Sequence, residues 1–145
     1  MQVQEVMTRD VELINPSTTI RDAAKKMREE DVGALPVGEN DRLVGMVTDR
    51  DIVMRAVALE RPLGNATVRD VMSEKICYCF EDETLEQAAK NMAEHQVRRL
   101  AVLNRSKRLV GMIALADLGR REPKAAQIAL QGISKHTGEQ RHFAH

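Results

Sequence analysis

Apolar residues recur at helical spacing shortly after the start of the chain. Ile20, Ala23 and Met27 fall on one side of a helix, and charged residues lie between them. Thr19 stands directly before this pattern, and threonine is a favoured N-cap because its oxygen accepts from a free backbone N–H. We therefore predict an amphipathic helix over residues 20–31 with Thr19 as its cap.

Short apolar runs flank this helix on both sides. Residues 11–14, 34–38 and 43–47 are rich in Val, Ile, Leu and Ala and are bounded by polar or turn-forming residues, which predicts three strands. The polar residues Glu39, Asn40 and Asp41 predict a hairpin turn between the last two strands. A second helix is predicted over residues 50–59, which gives the order strand, helix, strand, strand, helix.

The second half of the chain repeats the first. A shift of 65 positions aligns Thr84 with Thr19, and a shift of 66 aligns the segment 108–112 (RLVGM) with an identical segment at 42–46. Such self-similarity indicates a duplicated structural unit. The second copy predicts strands over residues 76–80, 99–103 and 109–113, a helix over residues 85–95, and another helix from about Leu115.

The duplication also predicts the domain boundaries. They are residues 1–60 for the first repeat, 61–67 for a linker, 68–122 for the second repeat, and 123–145 for a C-terminal helix and tail. Within the last segment, residues 124–132 predict a helix with Pro123 near its start and Gly132 at its end, and residues 134–145 predict a loose polar tail. Neither repeat alone can bury its apolar stripes and a sheet face. We therefore expect an α+β fold in which two β-α-β-β-α repeats pack through their sheets with pseudo-two-fold symmetry.

Charge and composition argue against several partners. Lys and Arg number 22, Asp and Glu number 22, and aromatic residues make up only 2% of the chain. A neutral chain lacks the global field that attracts nucleic acid or an anionic membrane, and few aromatics leave few base-stacking surfaces. No apolar run approaches the roughly 20 residues that span a bilayer, and the N-terminus has no apolar signal core. We expect a cytoplasmic protein that binds neither nucleic acid nor membrane.

The segment 45–51 (GMVTDRD) is the most informative for chemistry. A strand ends there and a helix begins, and free N–H groups at a helix start suit a phosphate. The Thr48 hydroxyl can donate to a phosphate oxygen, and the Asp51 carboxylate can accept from two neighbouring hydroxyls, as on a ribose. The same spacing also forms a capping box, which needs no ligand. The spacing alone leaves both interpretations open.

The duplicated unit resembles the cystathionine-β-synthase (CBS) domain family. The resemblance is carried by segments 45–51, 32–37 (VGALPV) and 97–102 (VRRLAV), and it covers residues 4–118. Domains of this family occur in pairs, called Bateman modules, which usually form dimers and commonly bind AMP, ADP, ATP, NAD or S-adenosylmethionine between the paired sheets. The resemblance therefore implies a homodimer, an adenosine-containing regulatory ligand with no required cofactor, and a separate, unidentified effector protein.

The resemblance also implies roles for individual residues. They are Asp51 for the ribose, Thr48 for phosphate or ribose, Ala34, Leu35 and Pro36 for adenine, and Arg98 and Arg99 for phosphate. Adjacent strand residues face opposite ways, so one of the two arginines is equally well explained as solvated. Arg50 could also reach a phosphate, although an exposed helix charge explains it as well.

The second motif departs from the first. Residues 111–117 (GMIALAD) keep the glycine and Asp117, but Ala114 replaces the hydroxyl residue, and Ala101 stands where the first repeat has Pro36. A second cleft could still hold a ribose through Asp117. It lacks one phosphate donor, so weaker binding, another ligand or no ligand all remain possible for it.

The sequence gives little support for disulfide, metal-binding or catalytic chemistry. Cys77 and Cys79 lie two positions apart, on one face of a predicted strand, where their separation exceeds that of a relaxed disulfide, so we predict two thiols. Metal sites built from thiolates usually need about four ligands at wider spacing. No Gly-rich phosphate loop or common hydrolase motif is present, so we predict no catalytic or metal-binding residues. Two hypotheses remain: a nucleotide sensor without enzyme activity, or a structural dimerisation module with vestigial ligand sites.

Overall fold

The computed structural model describes residues 1–40 and 42–140, with side chains as far as Ser134. In chain order its main elements are α1 (Ile20–Glu30), β1 (Ala34–Glu39), β2 (Arg42–Thr48), α2 (Asp49–Ile52), β3 (Tyr78–Phe80), α3 (Leu85–His95), β4 (Arg99–Leu103), β5 (Leu109–Ala114), α4 (Leu115–Arg121) and α5 (Pro123–Gln140). A π-helical segment, Val53–Val57, follows α2, and short 3-10 helices lie at Val3–Glu5 and Val68–Asp70. The predicted α+β class is confirmed.

The chain forms two compact units whose limits are offset from the sequence repeats. One unit is Glu12–Ile76, and the other joins Met1–Val11 to the chain from Cys77 onward. We call them the Glu12 unit and the Cys77 unit. The Glu12 unit contains the first repeat without residues 1–11, together with residues 68–76 from the start of the second repeat. The Cys77 unit contains the rest of the second repeat, together with residues 1–11. We call residues 1–11 and 68–76 the first segments of the two repeats.

The Glu12 unit packs α1 against a two-stranded antiparallel hairpin. In this hairpin Ala34 lies opposite Thr48 and Pro36 lies opposite Met46. The predicted strand over residues 11–14 is wrong, because only Ile14 makes a single parallel bridge, with Val37. The core of the unit consists of Ile14, Ile20, Ala23, Met27, Leu35, Val37, Val47, Ile52, Ala56, Val68, Val71 and Met72.

The Cys77 unit has a three-stranded sheet in the order β3-β4-β5. Strand β3 runs parallel to β4, and β4 runs antiparallel to β5. Helix α3 packs on β4 and α4 packs on β5, and α5 packs against both helices. The core consists of Val3, Met7, Cys79, Leu85, Ala88, Ala89, Met92, Leu100, Val102, Ile113, Leu118, Ala125 and Ala129.

The first segments of the two repeats dock in the same way in their respective units. The Val68 N–H donates to the Thr18 carbonyl at 2.8 Å, and the Val3 N–H donates to the Glu83 carbonyl at 2.8 Å. Both valines are fully buried, so each closes the core of a unit built mainly from the other repeat. Sequence position alone therefore does not tell which core a first segment completes.

The glycine of each repeated motif lies where such a segment crosses a strand. Met46 and Ser73 exchange backbone hydrogen bonds at 2.8 and 2.9 Å. A Cβ on Gly45 would stand 2.6 Å from the Ser73 carbonyl oxygen, and a Cβ on Gly111 would stand 2.6 Å from the Thr8 carbonyl oxygen. These close approaches leave no room for a side chain, which explains the glycine in both copies.

The two long amphipathic helices begin and end much as their sequences predict. The Thr19 hydroxyl accepts from the Asp22 N–H at 3.1 Å, and Thr84 caps α3 in the same way. Each helix ends at a residue in the left-handed region, Asp31 at φ 54° and Gln96 at φ 57°. The predicted cap at Thr19 is confirmed, and α1 ends one residue before the predicted limit.

The C-terminal helix is longer than predicted. Gly132 does not end the helix, because the chain stays helical to Gln140. The prediction of a loose tail is therefore wrong for residues 134–140. A Cβ on Gly132 would overlap Ala93 of α3. The glycine permits close helix packing instead of marking a helix end, and residues 141–145 lie outside the described part of the chain.

The helix predicted over residues 50–59 is regular only over its first turn. It begins at Asp49, and from Val53 to Val57 the backbone is wound as a π-helix. Ile52 and Ala56 are buried, whereas Val53 and Val57 are exposed. Of the helices within residues 1–40 and 42–140, none has the length and apolar character that crossing a bilayer requires.

Candidate functional site

Thr48 and Asp51 form a reciprocal capping box at the end of β2. The Asp51 N–H donates to the Thr48 hydroxyl oxygen at 3.0 Å, and the Thr48 N–H donates to Asp51 Oδ2 at 2.9 Å. Both residues are half-buried. The two bonds satisfy backbone groups that a helix start leaves free, and they hold both side chains in fixed positions.

The capping box does not use all of the hydrogen-bonding capacity of this pair. A threonine hydroxyl can accept and donate, and here it only accepts, so its proton remains for another acceptor. Asp51 commits Oδ2 to the cap, and its Oδ1 has no partner within residues 1–40 and 42–134. From the sequence, Thr48 and Asp51 could form either a helix cap or a ligand site. The geometry allows both at the same time.

The hairpin places part of the predicted adenine-contacting segment next to this pair. Ala34 lies directly across the strand pair from Thr48, and Pro36 lies on the same face of β1 as Ala34. Leu35 points to the other face, where its side chain is part of the core of the Glu12 unit. Of residues 34–36, only Ala34 has a partly exposed side chain next to Thr48, because Leu35 and Pro36 are both buried.

Charged side chains surround the start of α2. Asp49 and Arg50 are both exposed, and the Arg50 N–H donates to Asp49 Oδ1 at 2.8 Å. The Asp49 N–H donates to the Gly33 carbonyl at 2.9 Å, which ties the helix start to the residue before β1. The Arg50 guanidinium forms no ion pair in the described part of the chain, so the structure leaves it available to a ligand but does not place it at the Thr48–Asp51 pair.

The second motif has a different set of partners. Asp117 Oδ2 accepts from the Ala114 N–H at 2.8 Å, which reproduces the cap, but Ala114 offers no hydroxyl. Asp117 Oδ1 accepts from Arg120 Nη2 at 2.6 Å, so both carboxylate oxygens are engaged. Sequence analysis did not single out Arg120, although an opposite charge three residues along a helix is a readable signal for such a pair.

The two predicted phosphate-contacting arginines lie at the start of β4. Arg98 sits in a bend before the strand, and Arg99 is the first residue of the strand, directly opposite Ala114. Both side chains are exposed, and neither forms an ion pair in the part of the chain that the structure describes. Arg99 occupies the position that Ala34 occupies in the first repeat.

Cys79 is not suited to redox chemistry or metal binding. Cys77 and Cys79 are not joined by a disulfide, as predicted, and Cys79 is buried in the core of the Cys77 unit. Burial, helped by the charge of Glu83, raises the pKa of the Cys79 thiol to about 12, so the reactive thiolate is suppressed. No group of three or more His, Cys, Asp or Glu side chains is arranged for a metal ion within residues 1–40 and 42–134.

Two bacterial proteins are similar to most of this chain. "CBS domain-containing protein YhcV" of Bacillus subtilis is 40% identical over 134 residues, which cover 91% of this chain and 94% of that protein. "Hypoxic response protein 1" of Mycobacterium tuberculosis is 38% identical over 124 residues, covering 85% of this chain and 86% of that protein. The alignment with YhcV leaves little of that protein outside the shared region.

Solved structures show the same fold. The crystal structure of Hypoxic Response Protein I with two coordinated zinc ions matches with a TM-score of 0.76 and 37% identity, covering 85% of this chain and all of that one. The structure of CBSX2 in complex with AMP matches with a TM-score of 0.72 and 28% identity, covering 85% of this chain and 96% of that one. The described side chains of the present protein do not offer a cluster that fits zinc.

The family assignment agrees with the repeat. The model of the CBS domain matches residues 3–58 and again residues 68–121. These two matches follow the duplicated segments and include both motifs that end in an aspartate. The chain therefore belongs to the CBS domain family and contains two copies of the domain in tandem.

Proposed function

We propose that this protein is a regulatory module that binds an adenosine nucleotide at the Thr48–Asp51 pair and catalyses no reaction. The observation that carries the proposal is the state of Asp51. One oxygen of its carboxylate is fixed by the cap, and the other is without a partner in the described part of the chain. A carboxylate held in this way is pre-organised to accept hydrogen bonds from a sugar diol.

The neighbouring groups suit the rest of an adenosine ligand. Thr48 keeps a hydroxyl proton for a phosphate or ribose oxygen, and the half-buried Ala34 lies directly opposite it on the same hairpin. Apolar pockets with a few well-placed polar groups are typical of small-molecule sites. The AMP complex of CBSX2, a protein of the same fold, supports AMP as the first ligand to test.

We propose that arginine side chains recognise the phosphate. Arg98 and Arg99 are exposed and have no ion pair in the described residues, so neither must give up a partner to bind an anion. We expect ATP to lose more affinity than adenosine when both are replaced by Gln. Calorimetry with the two ligands tests this, and equal losses for adenosine and ATP would contradict a phosphate-specific role.

The helix that carries Asp51 offers a route from the ligand to other proteins. Immediately after Asp51, the side chains of Val53, Met54 and Val57 are 54%, 51% and 54% exposed, which is unusual for adjacent apolar residues. We propose that this stripe forms a homodimer contact that the ligand modulates and that a separate effector protein detects the change. Sedimentation of the Val57→Glu variant should show a monomer, and an unchanged dimer would count against this surface.

A structural dimerisation module is the second candidate function. The engaged carboxylate of Asp117 favours it, because a motif whose acid is fully paired has no evident vacancy for a sugar. In that case the unpaired oxygen of Asp51 would be an incidental surface feature. The two candidates predict different responses to nucleotides.

Ligand-induced stabilisation separates the two candidates. A ligand at roughly 100 times its Kd stabilises the folded protein by about 2.7 kcal/mol, which raises the melting midpoint by several degrees. Thermal melts with AMP, ADP, ATP, NAD and S-adenosylmethionine should show this rise for at least one compound. A midpoint unchanged by all five would leave the dimerisation module as the better account.

A further inference from the structure

The two motifs of this chain differ at the atom that a sugar ligand would need. Asp117 and Asp51 are equivalent, and each caps a helix through one carboxylate oxygen. The second oxygen of Asp117 accepts from Arg120, whereas the residue equivalent to Arg120 in the first repeat is Met54. Methionine has no N–H to donate, so it cannot pair with Asp51.

We propose that Arg120 closes the second motif to sugar ligands, so that each chain holds a single adenosine site, at Asp51. This proposal rests on the proposed function, which it deepens by assigning the site and its stoichiometry. Arg120 acts on specificity through Asp117 and need not touch the ligand that binds at the first motif.

The geometry makes Arg120 a competitor of a neutral sugar for Asp117. The Asp117 side chain is only 12% exposed, so its carboxylate can be approached from few directions, and the guanidinium occupies one of its two oxygens at 2.6 Å. A charge-assisted hydrogen bond is stronger than one from a neutral hydroxyl. A ribose must therefore replace a better donor at Asp117, whereas at Asp51 it meets an oxygen that has no protein partner.

The absence of a hydroxyl at Ala114 also disfavours ligand binding at the second motif. At the first motif a ligand can use the Thr48 proton and the Asp51 oxygen together. At the second motif neither group is offered, because Ala114 has no side-chain donor and Arg120 holds the carboxylate. Two substitutions in the second motif should therefore be enough to restore what the first motif offers.

A gain-of-binding experiment tests the proposal. The double variant Ala114→Thr/Arg120→Met reproduces the first motif at the second, and Thr at a helix N-cap should also favour folding. Isothermal titration with AMP should give one binding event per chain for the wild type and two for the double variant. The single variant Ala114→Thr, which keeps Arg120, should still give one event. The matched control is Arg121→Met, which removes the neighbouring exposed arginine and should leave the stoichiometry at one.

The reciprocal substitution tests the same mechanism at the first motif. Met54→Arg places a guanidinium three residues after Asp51, where it can pair with the unpaired oxygen. Since exposed ion pairs are modest in strength, AMP affinity should fall about fivefold. The reference variant is Met54→Gln, which also removes the apolar side chain from the proposed dimer contact but adds no charge, so the fivefold difference is expected between Met54→Arg and Met54→Gln. Folding of each variant is checked by its melting midpoint without ligand.

The outcomes distinguish this inference from the proposed function. Failure of the wild type to bind any nucleotide would remove the proposed function itself. Two binding events in the wild type, unchanged by Arg120→Met, would overturn the closure by Arg120 while leaving the nucleotide-binding function intact. A double variant that remains at one event would also contradict the closure.

Discussion

At the scale of single residues, Asp51 and Asp117 occupy equivalent positions but have different hydrogen-bond partners. The sequence places both acids at the same point of a repeated motif. It also indicates the missing hydroxyl at Ala114, but it does not show which carboxylate oxygens are engaged. That information depends on side-chain geometry, and it makes the first motif the stronger candidate for a ligand site.

Replacing each aspartate by asparagine should separate the two motifs. Asparagine keeps an acceptor for the backbone cap and removes the charge that strengthens hydrogen bonds to a sugar. We expect Asp51→Asn to weaken AMP binding by about tenfold or more, and Asp117→Asn to weaken it by less than about twofold. Calorimetry measures both values, and similar losses for the two variants would contradict the assignment of the site to Asp51.

The buried thiol of Cys79 gives a prediction about reactivity and pH. Because burial raises its pKa from 9.0 to about 12, the folded state favours the protonated thiol. The stability gained in this way is fully present below the unfolded pKa of 9.0 and is lost as the pH rises toward 12. In a Cys77→Ser variant, Cys79 should react with a disulfide reagent far more slowly in native buffer than in urea. Equal rates in the two conditions would show that the thiol is accessible.

At the scale of elements, hydrophobic spacing predicted the long helices well because both are amphipathic and capped. Helix α3 has the predicted limits, and α1 differs by one residue. The end of α5 was mispredicted because a glycine was interpreted as a helix stop. In the structure Gly132 lies against Ala93 of another helix, and single-sequence patterns do not reveal such a long-range contact.

Two glycines in helices allow a matched test of this packing. A methyl group on Gly132 would stand 2.6 Å from the Cα of Ala93, so Gly132→Ala should destabilise the protein by roughly 1–3 kcal/mol. Gly119 of α4 has no neighbour within 4 Å of a Cβ, so Gly119→Ala should stabilise by about 0.5–1 kcal/mol. Urea denaturation measures both changes. Stabilisation by Gly132→Ala would contradict the close helix contact.

At the scale of the whole molecule, the repeats in the sequence and the compact units in space do not coincide. The segment Met1–Val11 belongs to the unit that contains the second repeat, and Glu12–Ile76 includes the first segment of that repeat. The repeat itself was evident from the sequence. The exchange of first segments between the units was not evident, because the two segments have the same local pattern and fit either core equally well.

Matched valine substitutions should reveal this exchange. Val3 and Val68 occupy equivalent positions, and both are fully buried. Val3→Ala should cost roughly 1–3 kcal/mol and increase amide exchange mainly in α3, whereas Val68→Ala should increase it mainly in α1. Hydrogen exchange followed residue by residue measures this pattern. An effect of Val3→Ala confined to α1 would show that the first segment completes its own repeat.

The account as a whole depends on how an adenosine ligand contacts the first motif, and a crystal structure with bound AMP tests this most directly. We predict ribose hydroxyls within hydrogen-bonding distance, about 2.5–3.0 Å, of Asp51 Oδ1. The Thr48–Asp51 cap should remain intact, and the Arg120–Asp117 pair should be undisturbed. AMP bound with its ribose at Asp117, or away from both aspartates, would contradict the central claim.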